Sequence, residues 1–404
     1  MGRACAWLLL QRGHRVLLLD PGLDGQLDPS SGSEAALGVL MAQVFHRNSG
    51  RAWRLRQRSL ELWGQWRQQL EAQGWALPWR PGLLLLASTP EELERQRQLV
   101  ASRRQQGFAL ELWGQWRQQL QAQGWALPWR PGLLLLASTP EELECQRQLV
   151  ASRQQQGFAL ELWDQPRLDA LAPALPIGAL GGLYSPADGQ LDPGPALAAL
   201  LADGLRLGLQ TYCDRVERLE QRPGGWSVHT RCGENLEVEA VVLSAGVASS
   251  ALLADLGHQV PMEPVLGQAL ELELPLPTNW RSASPWPGAV VWQGLNLVPR
   301  ASSKLWLGAT LEPGDQADPA ALANLQQLGD AAPTWLQQAT VVRQWQGHRP
   351  HPIGRPAPLL EQLEPGLVLA SGHYRNGVLL APATAEWVAD QLEQGSQTSQ
   401  QTPS

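Results

Sequence analysis

The segment at residues 372–382 reads G-H-Y-R-N-G-V-L-L-A-P and constrains the fold more than any other part of the sequence. It follows the apolar run 367–370 and precedes a helix-like stretch at 383–391. A strand, a turn with two glycines and a helix N-terminus bring backbone N–H groups within reach of an anionic or electron-rich cofactor. The turn also contains Arg375, whose planar set of donors suits a carboxylate.

Composition and charge argue against several classes of function. The 404-residue chain has a net charge of −7 and no block of five or more basic residues, so we do not expect it to bind nucleic acid. Its four cysteines lack C-x-x-C spacing, so neither a disulfide framework nor a metal site is predicted. No apolar run approaches the ~18 residues of a membrane span. We therefore expect a cytoplasmic protein without a membrane span.

A tandem duplication interrupts the chain, because residues 61–110 recur at 111–160. The two copies differ only at the pairs Glu71/Gln121, Arg95/Cys145 and Arg104/Gln154. Each copy predicts a helix, a strand and a second helix. Since one sheet has one position for this strand, the extra copy is expected to bulge out, to add an edge strand, or to pair with another chain in a homo-oligomer. The sequence leaves these alternatives open.

The first twenty residues fit part of a dinucleotide-binding unit. Gly2 fits the third glycine of G-x-G-x-x-G, which permits close packing of a helix on a strand, and Asp20 ends the following strand, where a ribose-binding acid belongs. The first strand and first two glycines of the motif are missing from this stretch. We expect that the true start lies upstream; the other interpretation is a chain that binds its cofactor poorly.

Further motifs follow in a fixed order along the chain. They are S-E-A-A-L-G-V-L at 33–40, G-G-L-Y-S-P-A-D-G-Q-L-D-P at 181–193, D-R-V-E-R-L at 214–219, V-V-L-S-A-G at 241–246, Pro264 with Gly267 and Gln268, and G-A-T at 308–310. Together with the segment 372–382, they resemble the glycine oxidase/D-amino-acid oxidase family of flavoproteins. The resemblance extends over about residues 2–390.

The resemblance implies FAD as the cofactor and an α/β fold. A Rossmann-like FAD-binding domain, without its first strand, would be interleaved with an antiparallel-sheet α+β substrate domain. The implied FAD contacts are Gly2, Asp20, Ala35, Ala36, Gly38, Val216, Ala245, Gly246, Gly372, Arg375, Asn376, Gly377, Val378 and Leu379.

The same resemblance divides the chain into segments. Residues 1–50, 161–255 and 340–394 would form the FAD-binding domain. Residues 51–160 and 256–339 would form the substrate domain, which contains the duplication 61–110/111–160. The polar residues 395–404 are predicted to be a disordered tail. Residues 236–245 are predicted to form one strand.

The implied activity is FAD-dependent oxidation of a small amine or amino acid, glycine or D-amino-acid-like, to an imine by hydride transfer to flavin. Oxygen would be the electron acceptor and hydrogen peroxide the product. Arg349, in W-Q-G-H-R-P, is the first candidate for the substrate carboxylate. Arg375 is either a second carboxylate contact or a structural residue, and Tyr374 has either a direct role or a packing role.

Two alternatives to an oxidase remain open at this stage. One is an FAD-dependent dehydrogenase that uses another electron acceptor. The other is a non-catalytic product of a truncated and duplicated gene. The sequence also departs from the family, in which tyrosines of the substrate domain often complete the pocket, because no tyrosine lies between residues 213 and 373. Four tryptophans could line the pocket instead, or could belong to the core: Trp286, Trp292, Trp306 and Trp345.

Overall fold

The computed structural model describes most of the chain but little of the repeated region. The described residues are 1–23, 32–33, 35–45, 49–86, 89, 92, 95–96, 135–136, 161–171, 173–179, 181–276, 286–300 and 303–400. The second copy of the duplication, apart from residues 135–136, therefore lies outside the described residues, as does the end of the predicted tail at 401–404.

Helices and strands alternate through the described chain, which confirms the predicted mixed α/β class. The helices are α1 (Gly2–Gln11), α2 (Gly50–Ala72), α3 (Gln165–Asp169), α4 (Pro193–Arg206), α5 (Ser249–Ala254), α6 (Pro319–Asn324), α7 (Thr334–Gln337) and α8 (Gly377–Gln400). The strands are β1 (Leu17–Leu19), β2 (Val39–Leu40), β3 (Trp79–Leu86), β4 (Leu135–Leu136), β5 (Glu161–Trp163), β6 (Gly181–Leu191), β7 (Gln210–Tyr212), β8 (Val216–Arg222), β9 (Gly225–Thr230), β10 (Asn235–Val238), β11 (Val241–Leu243), β12 (Met262–Glu273), β13 (Ala289–Trp292), β14 (Leu295–Pro299), β15 (Lys304–Gly308), β16 (Glu312–Pro313), β17 (Thr340–Pro352), β18 (Leu359–Glu364) and β19 (Leu367–Ser371).

The largest sheet among the described residues has eleven strands. Its main path runs β16-β12-β15-β14-β13-β3-β6-β2, with β17 paired to β12 and with β4 and β5 paired to β6. The pairs are antiparallel except for β13 with β3. Strand β3 comes from the first copy of the duplication and lies inside the sheet, while two residues of the second copy, 135–136, also pair with β6. The long pairing of β12 with β17 extends from Met262 opposite Pro352 to Glu273 opposite Thr340.

Two smaller parallel pairs, β1 with β7 and β11 with β19, flank the start of α1. A Cβ atom on Gly2 would lie 3.0 Å from the Ser244 Oγ and 3.5 Å from the Leu18 Cδ1. The helix therefore packs closely on both pairs at this residue, as a glycine permits. The strands β8, β9 and β10, which lie between β7 and β11 in the sequence, form a three-stranded antiparallel sheet in the order β10-β9-β8.

The prediction of one strand over residues 236–245 was wrong. The chain forms β10 and β11 there, separated at residues 239–240. Strand β10 pairs antiparallel with β9, whereas β11 pairs in parallel with β19 in another sheet. The break is required because the two halves take partners in different sheets.

Tryptophans join the N-terminal helices to the C-terminal helix. Trp66 of α2 packs edge-on against Trp7 and Trp63, with ring centroids 4.7 Å and 5.7 Å away. The indole N–H of Trp63 donates to the Val378 carbonyl oxygen at 2.8 Å, in the first turn of α8. Buried aromatic rings contribute large apolar areas and prefer such edge-to-face contacts. These contacts fix the start of α8 relative to α1 and α2.

Helix α8 is longer than the sequence predicted. It begins at Gly377 and continues to Gln400, so its backbone enters the predicted tail. No proline or glycine stands between residues 396 and 400 to end the helix, and each new residue adds a hydrogen bond to a helix already nucleated. No helix in the described part of the chain combines the length and apolar character that crossing a membrane requires.

Replacing Asp203 should destabilise the fold at the junction of α1 and α4. Asp203 is 2% exposed, and its carboxylate accepts from the Trp7 indole at 2.9 Å and from the Arg206 Nε at 2.8 Å. The variant Asp203→Ala leaves a buried donor without a partner, so the free energy of unfolding should fall by about 2 kcal/mol in a urea titration. The control Asp390→Ala removes the exposed Arg12–Asp390 ion pair and should cost about 1 kcal/mol or less. Equal losses in the two variants would contradict this account.

Candidate active site

One cavity of about 2810 Å³ brings the sequence-predicted site residues together. Its lining includes Gly2, Asp20, Ala35, Ala36, Gly38, Val216, Ala245, Gly246, Arg349, Tyr374, Arg375, Asn376, Gly377, Val378 and Leu379. Gly372 is the one predicted site residue outside the lining. A Cβ atom there would meet the Pro352 Cγ at 2.8 Å and the Leu359 Cγ at 3.0 Å, so this glycine faces packed side chains.

The end of the cavity near α1 contains an acidic group. Asp20 directly follows β1, and its Oδ1 accepts the Gly22 N–H at 2.9 Å in a local turn. Val216 begins β8 and lines the same cavity, with Ala245 and Gly246 after β11. Gly246 has a φ of 62°, which favours glycine. The backbone can therefore turn sharply here at the cavity wall.

A segment of small residues forms another part of the wall. Ala35 and Ala36 leave the backbone close to the cavity, and the Ala35 carbonyl oxygen accepts the Trp345 indole N–H at 3.1 Å. Gly38 has a φ of 73°, and a Cβ atom there would lie 1.8 Å from the Leu191 carbonyl oxygen. Only glycine fits this position, which holds the segment against the end of β6.

The turn between β19 and α8 forms the opposite wall. Gly372 and Tyr374 both have positive φ angles, 65° and 51°, and residues Tyr374–Asn376 form a short 3-10 turn before α8. His373 is buried and its Nε2 makes a 2.9 Å hydrogen bond with the Thr384 hydroxyl. Burial lowers the pKa of His373 to about 3, so its imidazole is neutral. The side chain of His373 thus anchors the turn to α8.

Arg349 carries a positive charge into the wall formed by β12 and β17. Its guanidinium lies over Gly267, where a Cβ atom would stand 2.1 Å from Nη2, and its Nη1 donates to the Leu266 carbonyl oxygen at 3.1 Å. Desolvation and, next, the positive charge of Arg375 lower the pKa of Arg349. A guanidinium nevertheless stays protonated in proteins. Arg349 is therefore a partly buried cation in close contact with the backbone.

Arg375 approaches the same region from the turn before α8. It is exposed, and its Nη2 lies 3.4 Å from the Gly294 carbonyl oxygen. Within the described part of the chain, neither Arg349 nor Arg375 forms an ion pair with a carboxylate. The Glu312 carboxylate raises the pKa of Arg349 through its charge, but it forms no ion pair with it. Two neighbouring guanidinium groups with no carboxylate in direct contact make this corner of the cavity suitable for an anion.

Tyr374 lines the cavity directly before Arg375 in the chain. Its ring is 4.6 Å from the ring of His351, which makes a 2.9 Å contact with the Glu263 carboxylate. The charge of ionised Tyr374 would stabilise the guanidinium of Arg349, which shows that the phenol is close to it. Tyr374 therefore has a packing contact on one side and the cavity on the other.

Asp188 is a buried residue behind the cavity wall, and the sequence did not predict its role. Its carboxylate accepts three backbone N–H groups, from residues 42, 43 and 44, at 2.8, 2.8 and 2.9 Å. Burial raises the pKa of Asp188 to about 6, although these three hydrogen bonds act in the opposite direction. Asp188 thereby fixes a loop whose Met41, Val44 and Phe45 line the cavity.

Arg56 holds the same loop from its other side. Its Nη1 donates to the Met41 carbonyl oxygen at 2.8 Å, and its guanidinium lies 4.0 Å from the centre of the Phe45 ring. Desolvation lowers the pKa of Arg56 to about 10. The sequence offered weak signals for both residues: an aspartate in the S-P-A-D-G turn, and an arginine on the apolar side of a helix.

The four tryptophans considered for the pocket lie outside its lining. Trp286 and Trp292 belong to the buried core of the large sheet. Trp306 and Trp345 pack against each other with ring centroids 5.1 Å apart. The structure therefore supports a packing role for these four tryptophans and not a place in the pocket lining. Among the residues that the structure describes, no group of three or more His, Cys, Asp or Glu side chains could hold a metal ion.

Comparison with known proteins gives a consistent family match. The profile of the family described as DAO, FAD dependent oxidoreductase, matches residues 1–118 and 105–391, and these two matches overlap at the boundary between the repeats. The glycine oxidase of Geobacillus kaustophilus is 31% identical over 233 residues, which are 56% of this chain and 58% of that protein. The glycine oxidase of Pseudomonas putida is 36% identical over 201 residues, 48% of this chain and 52% of that protein. The chain thus spans little more than half the length of these curated relatives.

Solved structures show the same architecture. The crystal structure of glycine oxidase from Geobacillus kaustophilus has a TM-score of 0.71 at 24% identity and covers 97% of this chain and 92% of that chain. The iminodiacetate oxidase from Chelativorans sp. BNC1 has a TM-score of 0.74 at 19% identity, with coverage of 97% and 92%. At these identities the structural likeness establishes the fold.

Adding a methyl group at Gly267 should weaken anion binding at Arg349. The new Cβ in Gly267→Ala cannot coexist with a guanidinium 2.1 Å away, so Arg349 must leave its position over β12. We expect acetate, titrated by NMR, to bind about tenfold more weakly, in line with the loss of one charged hydrogen-bonding partner. The control Gly64→Ala lies on α2, where a Cβ meets no atom within 4 Å. Unchanged acetate binding in Gly267→Ala would contradict the assignment of Arg349.

The buried carboxyl of Asp188 predicts a pH dependence of stability. Its pKa in the folded state is about 6, above the ordinary value of 3.8, so the folded state binds this proton more tightly than the unfolded state. Its contribution to stability is present below pH 3.8 and is lost as the pH rises through about 6. Relative to Asp188→Asn, the wild type should lose about 2 kcal/mol of unfolding free energy between about pH 4.5 and 7.5. Urea titrations at several pH values measure this difference, and a constant difference would contradict the prediction.

Proposed function

The chain belongs to the DAO family of FAD-dependent oxidoreductases, and we propose that it oxidises a small amine or amino acid to an imine. We further propose that oxygen is the electron acceptor and that hydrogen peroxide is released. The observation that carries the substrate assignment is the pair of guanidinium groups, Arg349 and Arg375, which form no ion pair with a carboxylate in the described chain and line the cavity together. The imine would then hydrolyse in water.

The cavity fits the family's cofactor, FAD. Its volume of about 2810 Å³ is well above the roughly 300–1,000 Å³ of a pocket for one drug-sized molecule, which leaves room for a dinucleotide and a substrate. The N-terminus of α1 and the N-terminus of α8 both line it, and helix N-termini favour anionic groups. Asp20 follows a parallel strand, where an acid can bind ribose hydroxyls.

The residues that would hold FAD are those given by the family resemblance. They are Gly2, Asp20, Ala35, Ala36, Gly38, Val216, Ala245, Gly246, Gly372, Arg375, Asn376, Gly377, Val378 and Leu379. All of them except Gly372 line the cavity, and Gly372 instead permits the turn that leads to α8. The proposed FAD-binding domain comprises residues 1–50, 161–255 and 340–394, and the substrate domain comprises 51–160 and 256–339.

The side chains of the site have a positioning role in this proposal. FAD, when bound, would accept a hydride from the carbon that bears the amine and pass the electrons on to oxygen. Arg349 and Arg375 would bind the substrate carboxylate and fix its orientation, while Tyr374 would close the cavity next to them. The buried His373 is neutral and hydrogen-bonded to Thr384, so it would keep the turn in place without adding charge near the substrate.

A peroxide assay with amino acids tests the proposed reaction. FAD-loaded protein should release hydrogen peroxide with glycine or a D-amino acid when oxygen is present. Reduction of an artificial electron acceptor without peroxide would favour a dehydrogenase. A folded, FAD-loaded protein that turns over no amine under either condition would contradict the proposal.

Removing the charge of Arg349 should separate substrate binding from cofactor binding. In Arg349→Gln, the substrate carboxylate loses a charge-assisted hydrogen bond, so kcat/KM should fall about 100-fold while the flavin absorbance is retained. The control Arg343→Gln changes an exposed arginine of the same strand and should leave kcat/KM within about twofold of the wild type. Equal effects of the two substitutions would remove the case for a carboxylate site at Arg349.

A further inference from the structure

Asn296 has a buried oxygen atom without a hydrogen-bond partner in the wall of the cavity. The residue lies on β14, is 8% exposed and is part of the cavity lining. Its Nδ2 donates to the Gly308 carbonyl oxygen at 3.2 Å. Because that partner is an acceptor, the amide must present its NH₂ group to it, which leaves Oδ1 as a free acceptor. Among the residues that the structure describes, Oδ1 has no hydrogen-bond partner, and the atom itself has less than 1 Å² of accessible surface.

The strand register places Asn296 on the same face of the sheet as the guanidinium of Arg349. Asn296 is opposite Gly308 on β15, and Gly308 is opposite Ala269 on β12. Ala269 and Gly267 are two residues apart on one strand, so they share a face, and Arg349 lies over Gly267. Between the amide and the guanidinium the sheet therefore presents only two glycines and an alanine.

The distance across this floor suits an α-amino acid. Two strand spacings separate β14 from β12, and two residues along β12 separate Ala269 from Gly267, so the backbone positions are roughly 12 Å apart. The Asn296 side chain covers part of this distance, because its amide reaches the Gly308 carbonyl oxygen on β15. A carboxylate held by a guanidinium and an amine held by an amide, each at about 2.9 Å, span a similar length. Arg375 lies near Asn296 as well, because its guanidinium contacts the carbonyl oxygen of Gly294, two residues before Asn296 in the chain.

We propose that Asn296 is a specificity-determining residue whose Oδ1 accepts an N–H from the substrate amine. This inference rests on the proposed function, since it assigns the other end of a substrate whose carboxylate meets Arg349 and Arg375. A buried acceptor without a partner is unfavourable. A rotation of the Asn296 side chain toward the cavity would expose Oδ1, and an amine donor arriving with the substrate would then remove that cost. The site then takes a carboxylate and an amine that retains an N–H, and it disfavours a tertiary amine in its neutral form.

Comparing glycine with acetate isolates the amine contact. Both have a carboxylate for the arginines, and only glycine has an amine. In FAD-loaded Asn296→Leu under anaerobic conditions, we expect glycine to bind about tenfold more weakly, the loss of one hydrogen bond to a neutral partner. Acetate affinity should stay within about twofold. The dependence of the rate of flavin reduction on glycine concentration gives the glycine affinity, and the shift of the flavin bands on titration gives the acetate affinity. Asn324→Leu, at an exposed asparagine, is the control.

Two different results would separate a failure of the Asn296 inference from a failure of the proposed function. An unchanged ratio of glycine to acetate affinity in Asn296→Leu would overturn the role of Asn296, with water as the partner of Oδ1, while leaving the arginine site intact. Wild-type protein that binds neither ligand would contradict the arginine site as well.

A second variant guards against misfolding of the first. Asn296→Asp keeps the size of the side chain and places a negative charge next to the amine. That charge should raise the pKa of the bound amine and move the rise of kcat with pH to higher pH. A pH profile that does not move would contradict the contact.

Discussion

The site depends on one close approach, that of the Arg349 guanidinium to the backbone at Gly267. A cation in a partly dry cavity is costly unless something compensates its charge. The described chain supplies a carbonyl oxygen in contact with it and the charge of Glu312 from beyond ion-pair distance. The long pairing of β12 with β17 carries this arrangement, because it sets Gly267 opposite Gly347 and holds both strands in register. An anionic ligand bound at Arg349 would compensate this charge, and the positive charge of Arg375 nearby would stabilise the same ligand.

Buried charges also hold the other walls of the cavity. Asp188 accepts three successive N–H groups of the loop that contains Met41, and Arg56 donates to the carbonyl oxygen of Met41 itself. The glycine at position 38 and the turn that begins at Gly372 bring backbone to the lining where a side chain would not fit. Cofactor and substrate would therefore meet surfaces whose positions are set before binding, which is what an enzyme that works by orientation requires.

The sequence predicted the parts of this site that local chemistry determines. The strand, glycine turn and helix at residues 367–391 follow from an apolar run, two glycines and a helical pattern close together in the chain, whereas the helix continues to Gln400. Contacts between distant strands were not predictable in the same way. Residues 236–245 look like one strand, yet the two halves pair in different sheets. Asn296 is one polar residue in the strand L-N-L-V-P, and its relation to Arg349 appears only once the register across three strands is known.

The visible absorption spectrum of the purified chain, recorded after desalting, tests the central claim most directly. The cavity between α1 and α8, with Gly2, Asp20 and residues 373–377 in its wall, should retain FAD. We expect the blue and near-ultraviolet flavin bands at close to one FAD per chain, with circular dichroism that shows a folded protein. A folded protein without these bands, which also fails to gain them when incubated with added FAD, would contradict the account.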